Sequence, residues 1–314
     1  MRCPICFFPL TCRLDAGCKV FFGDISDELA RDVESKLGPN VRFLHCDTSS
    51  YSDQLSLFAA AESIFGGIDI VVANAGMANH KDIFDSNSDI TVEPSMKEVA
   101  VNLTGAIFTA RIGMHYLRKS KSNGGDLILV SSIAGFKECG GLATYTASKH
   151  GVLGLMRGLH TTAFPEGIHI NVICPWMTSK CAKSYARTSI SSHSLIPITE
   201  TRLVKGIEDG WRERGLPENE PEDVGRSIVL CATANRGQEG KTHPGAKMPF
   251  AGKILWIAGG EAYEIEDAIQ DLEPQWLGEE NSKVLARGQE YLSSMGTSWD
   301  ADKLKEKSGN SNGI

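Results

Sequence analysis

Apolar residues along this chain fall in short continuous runs, each followed by a stretch with helical spacing. Lys19-Val20-Phe21-Phe22 predicts a buried strand ending at Gly23-Asp24, and Asp27 to Leu37 predicts a helix closed by Gly38-Pro39. Val41 to Cys46 predicts a second strand ending at Asp47, and Ser52 to Phe65 a helix stopped by Gly66-Gly67. Ile68 to Ala73 is a third strand, running into Asn74-Ala75-Gly76, and a long helix fits Met96 to Leu117. Asp126 to Val130 is a strand running into Ser131-Ser132, Ala143 to Phe164 a helix, and His169 to Cys174 another strand. A loop-rich insertion is expected from Pro175 to about Pro221, then a helix over Asp223 to Ala232 and a glycine-rich loop from Asn235 to Gly252. Lys253 to Ile257 reads as the last strand.

Strands alternating with helices predict an α/β fold, a doubly wound parallel sheet covered by helices on both faces. Continuous apolar strands fit, because each is buried on both sides. Ligands of such sheets bind beyond the carboxyl ends of the strands. Asp24, Asp47, Asn74, Ser132 and Pro175 all follow strands, so they are expected to line one edge.

Composition narrows the function. Acidic residues outnumber basic ones, 39 to 32, which argues against nucleic acid or an anionic membrane as the main partner. No apolar run reaches the roughly 18 residues of a membrane span. Met1 to Leu10 is short and broken by Pro4 and Pro9, unlike a signal peptide. Nine cysteines scattered through apparent core segments fit a reduced, cytoplasmic protein. Cys3 and Cys6 have zinc-ligand spacing, but no second close pair or nearby histidines complete a site, so no metal is expected.

Tyr145 and Lys149 carry the sharpest chemical signal. Four residues is just over one helical turn, so phenol and ammonium share a helix face. A lysine beside a phenol favours the phenolate, and a tyrosine so tuned can exchange a proton with an alcohol oxygen. Ser132 lies 13 positions before Tyr145, and Ser131 lies 14. Alone, Ser132 reads as a strand-end hydroxyl and Asn102 as a buried amide bridging helix and strand.

Asn74-Ala75-Gly76 after a strand, Asn102 in the long helix, Ser132, Tyr145 and Lys149 together resemble the short-chain dehydrogenases/reductases, over roughly Leu14 to Gly260. Within that family the chain looks similar to NAD-dependent hydroxyprostaglandin dehydrogenases and their fungal relatives. The resemblance implies a Rossmann-like domain over 14–260, between an atypical segment 1–13 and a polar extension 261–314. It implies that Tyr145 is the general acid/base and that Lys149 tunes it and holds the nicotinamide ribose. Ser132 would stabilise the substrate oxygen, and Asn102 would hold a water linking Lys149 to solvent. The 13-residue offset in the family favours Ser132 over Ser131. Asn74, Ala75, Gly76, Pro175 and Thr178 fall at cofactor-binding positions, Thr178 toward the carboxamide; Trp176 stands where the family usually has glycine. Asp24 can accept hydrogen bonds from the adenine ribose and would repel a phosphate there, so NAD is expected rather than NADP. Asp47 is placed to touch the adenine, although Thr48 and Ser49 make a helix cap an equal reading.

These residues imply hydride transfer between NAD(P) and a secondary alcohol or ketone. Leu195, Ile196, Ile198 and Trp211, in a segment expected to cover the substrate, point to an apolar one. The resemblance also implies a homodimer or homotetramer, paired through the helices Met96 to Leu117 and Ala143 to Phe164.

The resemblance fails at the start of the chain. The family opens with a strand and a glycine-rich loop whose N–H groups approach the pyrophosphate. Only 23 residues precede Asp24, where a strand–helix–strand unit takes about 30. Ile5 to Phe8 fits a strand, but just ten residues separate it from Lys19, against the dozen or more of a parallel crossover. The chain is therefore expected to be a member truncated at its N-terminus or wrongly assembled there. The second reading is a catalytically silent relative serving as a binding or oligomerisation module; a zinc module ranks last.

Overall fold

The computed structural model describes residues 18–79, 82–120, 124–178, 206–236 and 246–294. The chain divides into two compact units, Met1–Ile265 and Glu266–Ile314.

In the first unit the apolar runs become strands β1 (Val20–Asp24), β2 (Val41–His45), β3 (Ile70–Ala73), β4 (Gly125–Val130), β5 (Ile168–Pro175) and β6 (Ile254–Ala258). Helices α1 (Asp27–Leu37), α2 (Tyr51–Phe65) and α4 (Ala143–Ala163) match the predicted helices within a residue. Ser50 caps α2 by accepting from the Asp53 N–H, and Gly66 ends it at φ 80°. The predicted long helix, α3, is Lys97–Val99, a wider π turn at Ala100–Thr104, and Gly105–Leu117. Helix α6 (Pro221–Thr233) starts with proline and a Glu220/Asp223 capping box.

Two predictions need correction. The segment expected to be loop-rich contains a short helix, α5 (Glu208–Glu213), whose two apolar-poor turns give no periodic signal. Ile254–Ala258 is not the last strand: β7 (Glu261–Glu264) folds back antiparallel against it.

Strand β4 shows why the central runs are apolar throughout. Leu127 and Leu129 pack into a cluster with α3 and α4, while Ile128 and Val130 pack on the opposite face with α6. Leu127, Ile128 and Leu129 are fully buried, each worth about 1.5–3 kcal/mol. Helices cover both faces of a mainly parallel sheet, giving the expected Rossmann-like α/β fold.

The sheet is nevertheless in two pieces among the described residues. β1 pairs only with β2, in parallel, and the second piece runs β3-β4-β5-β6-β7. Between β1 and β3 lies a slot of about 550 Å³, lined by Val20, Phe22, Val71, Ala73, Phe58 and Ala106 among others. β1 is accordingly only half-buried along its length, whereas β4 is wholly buried.

The second unit carries α7 (Glu266–Asp271), α8 (Glu273–Leu277) and α9 (Glu279–Ser294). Trp276 is exposed, and Trp299 lies outside the described residues. Cys3, Cys6, Ile5–Phe8 and Leu14–Gly17 also lie outside them.

Candidate active site

The carboxyl ends of β3, β4 and β5 and the start of α4 bring the sharpest predicted residues together. Asn102, 1% exposed, sits in the π turn of α3. Its Oδ1 accepts from the Met77 N–H at 2.8 Å, and its Nδ2 donates to the Met77 carbonyl at 2.8 Å. The same Nδ2 donates to Ser148 Oγ at 3.1 Å, and Ser148 donates to the Tyr145 carbonyl at 2.7 Å. One amide thus ties the loop after β3 to the helix carrying Tyr145 and Lys149.

Lys149 is buried. Its ammonium donates to the Val130 carbonyl at 3.1 Å and stands 5.7 Å from the centre of the Tyr145 ring. Tyr145 packs with Ala78 and Ala134, so its phenol is held between the loop after β3 and the turn after β4. A Cβ on Gly76 would come within 3.3 Å of Lys149 Nζ and 3.5 Å of Asn102 Oδ1, which explains a glycine beside the ammonium.

The two serines have different jobs. Ser131 is buried and donates to the Lys149 carbonyl at 2.9 Å, fastening β4 to α4. Ser132 is extended, and its Oγ accepts from the Ala134 N–H at 3.3 Å, leaving its proton to be donated elsewhere. Behind them the buried Cys174 thiol is pushed up to about 12 by desolvation, which outweighs the hydrogen bonds from Ser132 and Ser131 and the charge of Lys149.

The remaining predicted residues line the rim more loosely. Asp24 ends β1 and accepts from the Ser26 N–H at 2.7 Å. Asp47 accepts from both the backbone N–H and the hydroxyl of Ser49, at 2.9 and 2.7 Å, so its carboxylate shapes the turn into α2. Asn74 and Ala75 line the open slot, which touches neither Tyr145, Lys149 nor Ser132. Pro175 ends β5, and Thr178 Oγ1 donates to the Trp176 carbonyl at 3.1 Å. The Trp176 ring stands edge-on to Trp211 at 5.0 Å and also meets Trp256, forming an aromatic cluster. Leu195, Ile196 and Ile198 fall outside the described residues.

Two supporting residues escaped the sequence reading. Glu98, 3% exposed, accepts from the Asn79 N–H at 2.8 Å and from the Thr144 hydroxyl, bracing the loop after β3 against the start of α4. Its position one turn before Asn102 was the available signal. Asn219, fully buried, donates to the Ile257 carbonyl and accepts from the Gly260 N–H, while its backbone bridges to Thr178. Nothing in its polar surroundings marks it. Among the described residues no group of three or more His, Cys, Asp or Glu is arranged to hold a metal.

Lys149, Tyr145, Asn74 and Gly76, the last close to the Lys149 ammonium, are the residues that could hold the ribose and ring of a dinucleotide cofactor. Among the described residues no glycine-rich turn opens a helix between β1 and β3 to receive the phosphates.

Comparison with known proteins agrees with this architecture. The profile of the short chain dehydrogenase family matches residues 12–189. The short-chain dehydrogenase/reductase ascJ of Acremonium egyptiacum is 38% identical over 265 residues, covering 82% of this chain and 75% of that protein. The 5'-hydroxyaverantin dehydrogenase of Dothistroma septosporum is 25% identical over 296 residues, covering 88% and 86%. The (-)-trans-carveol dehydrogenase of Rhodococcus erythropolis is 33% identical over 162 residues, 52% of this chain and 57% of its own. With more than half its length matched by the profile, and a well-covered relative above 30% identity, this chain belongs to the short-chain dehydrogenase/reductase family of oxidoreductases.

Proposed function

We propose that the chain interconverts a secondary alcohol and a ketone with NAD as the redox partner. The observation that carries this reading is the Asn102–Ser148–Tyr145–Lys149 arrangement, in which a buried ammonium stands beside a phenol on one helix face. The cofactor supplies the hydride chemistry when bound. Tyr145 gives a proton to the ketone oxygen in reduction and takes it from the alcohol in oxidation. Lys149 stabilises the phenolate left behind and holds the cofactor ribose. Ser132 donates to the substrate oxygen as negative charge develops there. Asn102 orders the route by which the proton is replaced. Asn74, Ala75, Gly76, Pro175 and Thr178 border the cofactor.

Asp24, at the end of β1, supports NAD over NADP, since a carboxylate beside the adenine ribose opposes a phosphate on it. Asp47 acts there through the turn it shapes. Relatives named as dehydrogenases of 5'-hydroxyaverantin and trans-carveol support an alcohol as substrate. The aromatic cluster of Trp176, Trp211 and Trp256 favours an apolar one. We also place the chain in the cytoplasm as a homodimer or homotetramer paired through α3 and α4, with Ile107 exposed on α3. Among the described residues no helix is long and apolar enough to cross a membrane.

Nicotinamide absorbance with a panel of apolar ketones and alcohols tests the reading. Turnover should fall by about 10² or more in Tyr145→Phe. Turnover unaffected by that change, or no turnover with any pair, would overturn it; sedimentation reads the oligomer.

A further inference from the structure

Tyr145 lies in the first turn of its helix, α4, where peptide N–H groups have no intrahelical partner and helices fray. That turn is not secured from within. Leu142 at the N-cap makes no side-chain cap, and no acidic residue follows in the first turn. The brace comes from α3 instead. Glu98, 3% exposed, accepts from the Thr144 hydroxyl with one carboxylate oxygen and from the Asn79 N–H at 2.8 Å with the other. Thr144 immediately precedes Tyr145, and Asn79 immediately follows Ala78, which packs in one cluster with Tyr145.

Asn102 makes a parallel tie. It holds Met77 on the other side of Ala78, and Ser148 one turn further along α4. Glu98 and Asn102 are thus two rungs between the same three elements, α3, the loop after β3 and α4. The Asn102 rung ends beside Lys149 in the chain, and the Glu98 rung ends beside Tyr145. A carboxylate suits the Glu98 rung, because both of its partners donate and its charge is favoured at the positive N-terminal end of α4.

We infer that Glu98 is a positioning residue for Tyr145: it fixes the first turn of α4 and the backbone beside Ala78, and so sets where the phenol meets the substrate oxygen. The inference rests on the alcohol–ketone reading for its effect on rate, while its effect on the phenol itself is readable without turnover. Proton transfer depends on placement, and an error of about 1 Å costs up to about 10² in rate.

Kinetics and NMR of the full-length protein test this. Glu98→Ala should lower kcat by about 10–10²-fold and leave the substrate KM within about twofold, since the lost contacts serve proton transfer rather than binding. Glu98→Gln keeps an oxygen for the Asn79 N–H and offers an N–H to the Thr144 oxygen, so it should recover most of the rate. Thr144→Val keeps the shape, removes the hydroxyl and should fall between them. Asn171→Ala is the control. Asn171 is fully buried in β5 and bonds to the Phe250 carbonyl and the Lys253 N–H, so its loss should lower the melting temperature without slowing turnover. In protein carrying isotope-labelled tyrosine, the ring signal lost in Tyr145→Phe should move in Glu98→Ala and Thr144→Val, and stay in place in Glu98→Gln and Asn171→Ala. A stationary Tyr145 signal in Glu98→Ala overturns the inference, as does a Glu98→Gln variant as slow as the alanine one, or equal slowing in Asn171→Ala. Should Glu98→Ala fail to fold, a stationary signal in Thr144→Val overturns it alone. Absence of turnover in the unmodified protein overturns the alcohol–ketone reading instead, and the Tyr145 signal still decides the role of Glu98.

Discussion

Replacing Asn102 by alanine tests the tie at the centre of the site. The side chain is 1% exposed and makes three hydrogen bonds, two to the backbone of Met77 and one to Ser148. A net contribution of about 1 kcal/mol per bond gives a loss of about 3 kcal/mol. For a domain of this size that is a fall in melting temperature of about 6–12 °C. The cost has a definite origin: the N–H and C=O of Met77 lose their partner, and the loop after β3 loses its hold on α4. Asn102→Asp separates the parts. It still accepts from the Met77 N–H but sets a carboxylate oxygen against the Met77 carbonyl, so at neutral pH it should be no more stable than the alanine variant. Ser148→Ala removes one of these bonds together with the Ser148 bond to the Tyr145 carbonyl, and should cost about 2 kcal/mol. Urea denaturation followed by far-ultraviolet circular dichroism measures all three. A loss under about 0.5 kcal/mol for Asn102→Ala, or equal losses for Asn102→Ala and Ser148→Ala, would refute the tie.

Other expectations rest on separate regions. The His45 ring, 2.6 Å from Asp27, has its pKa raised above 6.5, first by the Asp27 hydrogen bond and then by the charges of Asp27, Asp53 and Asp47. Its stabilising effect is therefore complete below pH 6.5 and disappears as pH rises through the folded-state value. An NMR titration should place His45 above 6.5 and bring it back toward that value in Asp27→Asn; an unchanged titration contradicts the pairing. Burial pushes the Cys46 and Cys174 thiols up to about 12, so both should resist alkylation at pH 8 in the native protein and react after unfolding. Labelling of Cys174 at the rate of a free thiol would show that the strand end behind the serines is open.

Much of the fold was legible because its central strands are buried on both faces. Leu127 to Val130 is apolar throughout for that reason, and glycines at 38 and 66 mark helix ends that the structure places there. β7 was not legible, since Glu-Ala-Tyr-Glu carries two carboxylates in four residues and is defined by its pairing with β6. The π turn was equally silent, because an inserted residue within a helix leaves the apolar spacing on either side intact. In the site, the Tyr145–Lys149 pair was readable from spacing and residue type, whereas Asn102 alone read as a buried amide bridging helix and strand and was singled out by the family resemblance. The division of labour between Ser131 and Ser132 depends on which hydroxyl meets the Lys149 carbonyl, a fact of tertiary contact. Glu98 and Asn219 act through backbone groups of distant segments, and no local pattern records such partners.

The short outer strand β7 has an effect on how molecules meet one another. Two of its four residues are glutamates, and Glu261 and Tyr263 are exposed. A neighbouring molecule seeking to extend the sheet there would have to bring its own backbone alongside those negative charges, on a protein already carrying a net charge of -7. Neutralising the margin, with Glu261→Val and Glu264→Val together, should turn a self-limiting sheet into one that grows between molecules and scatters light on concentration.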